Sequence, residues 1–274
     1  MKPLYALFLI GAFITTLLGG CATYRSDFGG GYHALEGTYL DKPHYDSLPQ
    51  GAWYASARAI RASGYNIGPF SPREGDRNRV YEAVVHRGHT YRNLSWAGGL
   101  FGYYGNYRLG NRHDSVLVDH FLSRKSYYGF GAKLDVAWNI PYRRVNFRPL
   151  GLALTVNREL GRYPRFVRQI DGLSPLVSTV NDPLGINVGI TSGLRVAWEG
   201  GMVLGGQLLL MIPDRDYDVI YERVVDGQVQ PRGLVEGVTT TTFVGYENVL
   251  FQVQMGLGEA QLHVAYGLTY RFGR

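Results

Sequence analysis

The sequence predicts an all-β protein, an antiparallel up-and-down β-barrel of about ten strands within a range of about eight to twelve. Three observations predict this fold class. Segments in which apolar and polar residues alternate strictly recur along the chain, no long stretch has a helical period, and short turns alternate with long loops. Because successive side chains of a strand point to opposite faces, each such segment has one apolar face and one polar face.

Four segments alternate most clearly, at residues 128–140, 150–156, 184–198 and 262–272. Every second residue from Tyr128 to Ile140 is apolar, and the residues between them are small or polar. A strand that spans a membrane needs about 9–11 residues, and the first and third of these segments exceed that length. Tyr128 and Trp138 are therefore expected near the two membrane interfaces.

Weaker alternation predicts the remaining strands at residues 52–62, 79–87, 91–109, 202–212, 238–247 and 249–257. The segment 91–109 is long enough for one strand or two short ones. Breaks are expected at residues 71–78, 162–183 and 213–237, where proline and glycine interrupt the pattern. Asp226-Gly227 predicts a hairpin turn inside the last of these, and residues 199–202 predict a short turn.

The two faces of the predicted barrel can be arranged in two ways. If the apolar face points outward, the chain spans a membrane and closure leaves no unpaired strand edge in lipid. The polar residues expected inside are Lys133, Asp135, Arg195, Glu199, His263 and Arg271. Arg195 and Glu199 lie four residues apart on this face and are expected to pair there.

If the apolar face points inward, the chain is a soluble periplasmic barrel that hangs from a lipid and binds an apolar ligand. Its water-facing side would then consist mostly of Gly, Ala, Thr and Asn, where Lys and Glu are expected. The sequence therefore favours the membrane barrel.

The last strand resembles the C-terminal signal of bacterial outer-membrane barrel proteins. Gly267, Tyr270 and Phe272 match its Gly-x-x-aromatic-x-aromatic pattern, and the resemblance implies recognition by the barrel-assembly machinery. The sequence departs from the pattern at Ala265, where a polar residue is usual, and in the residues that follow Phe272.

The N-terminus has the features of a secretory signal peptide, with Lys2 followed by the uncharged, mostly apolar run 4–18. Leu18-Gly19-Gly20-Cys21 contains the only cysteine and resembles the lipobox of bacterial lipoproteins. The resemblance implies removal of residues 1–20 and acylation of Cys21, for example with palmitate. An ordinary signal peptidase could instead cut after Ala22. The residue after Cys21 is Ala22 rather than the aspartate that would keep a lipoprotein from the outer membrane. The resemblance therefore implies a location in the outer membrane of a diderm bacterium.

The expected domains are the signal peptide 1–20, a lipidated tether 21–50 and a barrel 51–274. The net charge of +6 comes mainly from arginine, because lysine occurs only at positions 2, 42, 125 and 133. Arginine suits phosphate or carboxylate binding, but genome composition explains the bias more simply. An exported protein is not expected to bind nucleic acid.

Two motifs in the sequence contain histidines that could carry chemistry. His86 and His89 lack a third ligand at a metal-site spacing, and on a strand they point to opposite faces, so no metal and no cofactor are expected. His113 and Ser115 could act as base and nucleophile if extended, and they resemble the His-x-Ser pair of membrane lipid A 3-O-deacylases. They follow the turn signal at residues 110–112, which favours a loop position.

The expected function is a non-enzymatic one: a structural, surface-interaction or small-pore role in the outer membrane. The loops at residues 162–183 and 213–237 are the expected contact surfaces. The expected partners are outer-membrane lipid, the lipoprotein-processing and barrel-assembly machinery, and a surface ligand that the sequence does not identify. A lipid-modifying hydrolase using His113 and Ser115 and the soluble apolar-ligand barrel are the alternatives.

Overall fold

The computed structural model describes residues 39–45, 47–64, 77–108, 124–170, 177–178, 184–213, 220–221, 237–258 and 261–273. The strands are β1 Gln50–Gly64, β2 Arg77–Thr90, β3 Leu94–Arg108, β4 Lys125–Trp138, β5 Ile140–Tyr142, β6 Val145–Gly161, β7 Val177–Ser178, β8 Leu184–Ala197, β9 Met202–Pro213, β10 Ile220–Tyr221, β11 Gly237–Tyr246, β12 Val249–Gly258 and β13 Gln261–Phe272. One helix, α1, is described at Arg162–Ile170.

Ten of these strands form a closed antiparallel barrel in which each strand pairs with its neighbours in the sequence. The barrel closes where β1 pairs with β13, with Trp53 opposite Phe272 and Gly64 opposite Gln261. The predicted up-and-down barrel is confirmed, and the segment 91–109 is one strand rather than two. The short strand β5 only extends the turn between β4 and β6.

The register of β6 shifts against β8 between Arg148 and Gly151. Pro149 lies in this interval, and proline has no backbone N–H to donate to a neighbouring strand. The irregularity therefore follows from the sequence and is confined to one position in the barrel wall.

The outer face of the barrel is apolar. Large hydrophobic side chains in its middle band include Val85, Leu100, Leu134, Leu152, Leu154, Val188 and Leu268, all of them exposed. Aromatic residues flank this band, with Tyr81, Tyr104, Tyr128 and Tyr266 toward one end and Trp53, Trp138, Trp198, Tyr246 and Tyr270 toward the other. The alternative of an inward-facing apolar surface is therefore wrong, because large apolar side chains cover the outside while the charged side chains of Lys133, Asp135 and Arg195 are buried inside.

The two ends of the barrel differ. Tight turns join β2 to β3, β8 to β9 and β11 to β12 at one end, here called the short-turn end, where β1 also begins and β13 ends. Most connections at the opposite, long-loop end are longer. There β7 pairs with β10, which joins the connections predicted at 162–183 and 213–237. The hairpin predicted at Asp226-Gly227 lies outside the described residues.

Helix α1 was not predicted, because residues 162–183 were expected to be a loop. Its apolar residues Tyr163 and Phe166 are three apart and both are buried, while Arg162, Arg165 and Arg168 are exposed. This spacing places the two sets on different faces of one short helix. Pro164 lies in the first turn of the helix. Backbone N–H groups there have no intrahelical acceptor, so the N–H that proline lacks costs the helix no hydrogen bond. The helix described here is too short and too polar to cross a membrane.

Candidate functional site

The candidate site is the lumen of the barrel, which contains part of the chain's own N-terminal region. Residues 39–43, here called the plug segment, enter from the short-turn end, and Tyr39, Leu40, Asp41 and Lys42 are each at most 3% exposed. The ring of Tyr39 stacks on Phe243 at 4.7 Å between centroids. Residues 21–50 were expected to be a tether, and the structure adds that five of them are buried inside the barrel. For residues before Tyr39 the tether stays a prediction.

Two ion pairs connect the plug segment to the barrel wall. Lys42 Nζ lies 2.8 Å from Asp135 Oδ2, and Arg195 pairs with the carboxylate of Asp41. Burying a charge is costly unless an opposite charge accompanies it, so each plug charge requires its wall partner.

Hydrogen bonds fix the backbone of the plug segment as well. His86 Nε2 lies 3.0 Å from the carbonyl oxygen of Asp41, and Thr90 Oγ1 donates to the carbonyl oxygen of Pro43 at 2.7 Å. Gly88 leaves space between these two contacts, since a Cβ there would lie 2.8 Å from the Asp41 carbonyl oxygen. The wall of β2 is therefore shaped to receive this segment.

The environment of the plug segment changes the acidity of its side chains. Burial lowers the pKa of Lys42, and the neighbouring carboxylate of Asp135 opposes that effect. Burial also raises the pKa of Tyr39, and the negative charge of Asp41 adds to the rise. Both shifts are those of groups removed from water.

A second layer of charged residues crosses the lumen deeper inside the barrel. Arg58 and Glu82 are directly opposite on β1 and β2, and the guanidinium donates to both carboxylate oxygens at 3.0 to 3.2 Å. Lys133 Nζ lies 3.1 Å from Glu82 Oε2, and Arg58 Nη1 donates to Gln254 Oε1 at 2.6 Å. Gly267 makes room for the long side chain of Arg58, because a Cβ there would lie 2.8 Å from Arg58 Cγ.

The third layer consists of aromatic rings that pack against α1 at the long-loop end. Tyr107 and Tyr127 pack on Tyr163 of α1 at 4.7 and 5.7 Å, and Tyr127 Oη donates to Asn78 Oδ1 at 2.7 Å. Lys125 Nζ lies 5.0 Å from the centre of the Phe166 ring. The described lumen is thus filled at three levels, by the plug segment, by the charged layer and by the aromatic layer.

A cavity of about 720 Å³ remains at the short-turn end, beside the plug segment. Tyr54, Arg195 and Arg271 line it, as do the turn residues Arg144 and Glu199. It is a vestibule in front of the filled lumen.

Several polar residues that the sequence placed inside lie in the lumen with buried side chains: Lys133, Asp135, Arg195 and His263. Arg271 is partly buried at the short-turn end. The prediction for Glu199 is wrong, because its side chain is 87% exposed and pairs with Arg144 rather than Arg195. The reason is that β8 ends at Ala197, so the alternation no longer applies two residues later.

The residues of the C-terminal signal divide between the two faces of β13. Tyr270 and Phe272 are exposed on the outer face, and Gly267 faces the lumen. Cys21, His113 and Ser115 lie outside the described residues, so acylation and the His-x-Ser hydrolase stay predictions. No group of three metal-binding side chains occurs in the described part of the chain.

Sequence reasoning missed Asp41, Lys42, Arg58 and Glu82 as lumen residues, and it weighed His86 only as a metal ligand. The alternation of β1 carries little information, because its outward residues Ala55, Ala57 and Ala59 are small. The sequence of β2 did contain a signal. Glu82 and His86 share one face of the strand, and the apolar residues Tyr81 and Val85 share the opposite face.

No family model matches the sequence, and no curated protein matches it. The structure is similar to the transport unit of the autotransporter AIDA-I from Escherichia coli, with a TM-score of 0.42 and 11% identity, over 92% of this chain and 100% of that chain. It is also similar to the β domain of the Bordetella autotransporter BrkA, with a TM-score of 0.41 and 8% identity over 82% and 99%. An outer-membrane channel from Pseudomonas putida F1 has a TM-score of 0.38 and 12% identity over 85% and 100%.

Because these TM-scores are below 0.5, the assignment depends on the chain's own strand pairing and surface. A closed antiparallel barrel with an apolar outer band, two aromatic girdles and charged residues inside is a membrane-spanning β-barrel of the outer-membrane type.

Proposed function

We propose that the protein is a non-catalytic outer-membrane barrel lipoprotein whose lumen is closed and whose long-loop end contacts a surface partner. The observation that carries this proposal is the burial of the plug segment, which is ion-paired to Asp135 and Arg195. A small pore is disfavoured because the charged layer and the aromatic layer also occupy the lumen. If the lumen is closed, other molecules in water can contact the barrel only at its two ends.

The proposed location has two supports. The apolar band between aromatic girdles fits a bilayer, and outer-membrane barrels have short periplasmic turns and longer extracellular loops. On that orientation, the N-terminal region and the C-terminal strand signal are on the periplasmic side. There the assembly machinery, a proposed partner, would meet the signal at Tyr270 and Phe272.

Reconstitution in planar lipid bilayers tests the closed lumen. The purified full chain is expected to give no stepwise ionic current under conditions in which an open porin, as the positive control, conducts. Stepwise current from the wild-type chain would contradict the proposal and favour the pore.

The proposed lipid anchor is tested with Cys21→Ser. Metabolic palmitate labelling should be lost in this variant, whereas the protein should stay in the membrane pellet after alkaline washing because the barrel itself spans the bilayer. Retained label would contradict the anchor. Release into the aqueous fraction would contradict the membrane barrel.

A further inference from the structure

The outer face of β1, β2 and β3 carries a group of exposed arginines at the long-loop end. Its members, here called the arginine patch, are Arg61, Arg77, Arg79 and Arg108. Arg79 lies two residues from the outward-facing Tyr81, and Arg108 lies four residues from the outward-facing Tyr104. The patch therefore continues the lipid-facing surface rather than the lumen.

The strand register brings these positive charges together. Arg61 is directly opposite Arg79, and Arg77 is directly opposite Arg108. Like charges in directly opposite positions destabilise a sheet. Within the described ranges Arg61, Arg79 and Arg108 have no acidic partner. An anion beside Arg61 and Arg79 would turn the repulsion between these two residues into attraction.

The height of the patch indicates which anion is available. Tyr81 and Tyr104 belong to the aromatic girdle, which marks the level of the lipid headgroups. Arg79 lies two residues beyond Tyr81, which is about 7 Å along a strand. The patch is therefore at or just beyond the headgroup level, where lipid phosphates lie.

The chemistry of arginine suits this position. A guanidinium group donates two parallel hydrogen bonds to one phosphate and remains charged at any physiological pH. The short-turn end differs, because its exposed charges have both signs and Arg144 there pairs with Glu199. Among the described residues, Arg61, Arg79 and Arg108 of the arginine patch are exposed positive charges with no acidic side chain of that kind beside them.

We infer that the arginine patch binds the phosphate groups of an anionic lipid in the leaflet around the long-loop end. The inference rests on the proposed outer-membrane location, which makes that lipid the phosphorylated glycolipid of the outer leaflet. Arg61 and Arg79 hold one phosphate between adjacent strands, and Arg108 extends the site along the same surface.

The test is a titration of the detergent-purified full chain with lipid A that carries both phosphates, followed by native mass spectrometry. The double variant Arg61→Gln/Arg79→Gln should raise the Kd for lipid A about thirty-fold, because each basic residue near a lipid surface contributes about 1 kcal/mol and about 1.4 kcal/mol corresponds to a tenfold change in Kd. The matched control Arg87→Gln/Arg92→Gln removes two exposed arginines at the short-turn end and should leave the Kd unchanged. In neutral detergent without lipid, Arg61→Gln/Arg79→Gln should unfold at the same temperature as the wild type or higher, because a like-charge contact is removed.

Two further probes identify the source of the phosphate. Dephosphorylated lipid A should bind weakly, and inorganic phosphate should compete only at far higher concentration. Equal binding of dephosphorylated lipid A, equally tight binding of inorganic phosphate, or an equal loss of affinity in the control variant would each overturn the inference. Heat-dependent gel mobility of every variant shows whether the barrel is folded. A folded barrel that does not bind lipid A contradicts only the arginine patch, whereas loss of the mobility shift contradicts the barrel itself.

Discussion

At the residue scale, Glu82 is the centre of the charged layer. Its carboxylate pairs with both Arg58 and Lys133, and all three side chains are at most 4% exposed. Removing one member of a buried ion pair costs about 3–5 kcal/mol, because a charge is left without compensation. We expect Glu82→Gln to lower the free energy of unfolding by that amount, measured by urea unfolding from lipid vesicles.

The matched control is Glu199→Gln, which removes a carboxylate from a solvent-exposed pair with Arg144. Exposed pairs contribute at most about 1 kcal/mol, so this variant should differ little from the wild type. Equal losses in the two variants would show that the charged layer is not the buried cluster described above.

Gly88 allows a second test at the residue scale, because it contacts the plug segment. A valine there would place its Cβ 3.3 Å from Lys42 Cα and still nearer the Asp41 carbonyl oxygen, so the plug segment must leave its position. With Leu40→Cys as a reporter in a Cys21→Ser background, we expect a membrane-impermeant thiol reagent to label Gly88→Val much faster than the parent.

The control for this experiment is Gly200→Val, since a Cβ at Gly200 meets nothing within 4 Å. Its labelling rate should equal that of the parent. If Leu40→Cys reacts quickly in the parent as well, residues 39–43 do not occupy the lumen.

At the element scale, α1 is held by the aromatic layer rather than by its own stability, because a helix of nine residues is marginal in water. Replacing Phe166 by Ala removes a buried ring. We expect faster amide hydrogen exchange throughout α1 while the barrel strands keep their protection. Arg165→Ala, on the exposed face of the same helix, should leave the exchange unchanged, and equal effects would argue against the packing of α1 on Tyr107 and Tyr127.

The elements differ in how well the sequence predicted them. The strong strands were predictable because large apolar residues alternate with small or polar ones, as from Tyr128 to Ile140. Helix α1 was missed because two aromatic and three arginine residues at a spacing of three make a weak signal beside prolines. The plug segment was missed because no periodicity marks a short irregular segment that becomes ordered only through Asp135 and Arg195.

The sequence predicts which residues face the lumen but not which of them contact one another. Alternation places Lys133, Asp135 and Arg195 on the polar face, but it does not say which residues meet across the lumen. That depends on barrel closure and on the register of strands distant in the sequence. Arg195 pairs with Asp41 of the plug segment, 154 residues away, rather than with the nearby Glu199.

At the scale of the whole molecule, the apolar outer band and the filled, largely charged interior make the protein stable only when lipid or detergent covers its outside. Closure through β1 and β13 leaves no unpaired edge in the barrel wall. Such a barrel unfolds as a unit and resists detergent until it is heated, because the backbone hydrogen bonds of each strand depend on both of its neighbours.

The most direct test of the closed membrane barrel is the electrophoretic mobility of the protein in an outer-membrane fraction, compared before and after boiling in detergent. The unboiled protein should migrate as a compact, folded species and the boiled protein at the position of the unfolded chain, which is 30.6 kDa for the full sequence. A single band at the unfolded position in both samples would contradict the closed barrel.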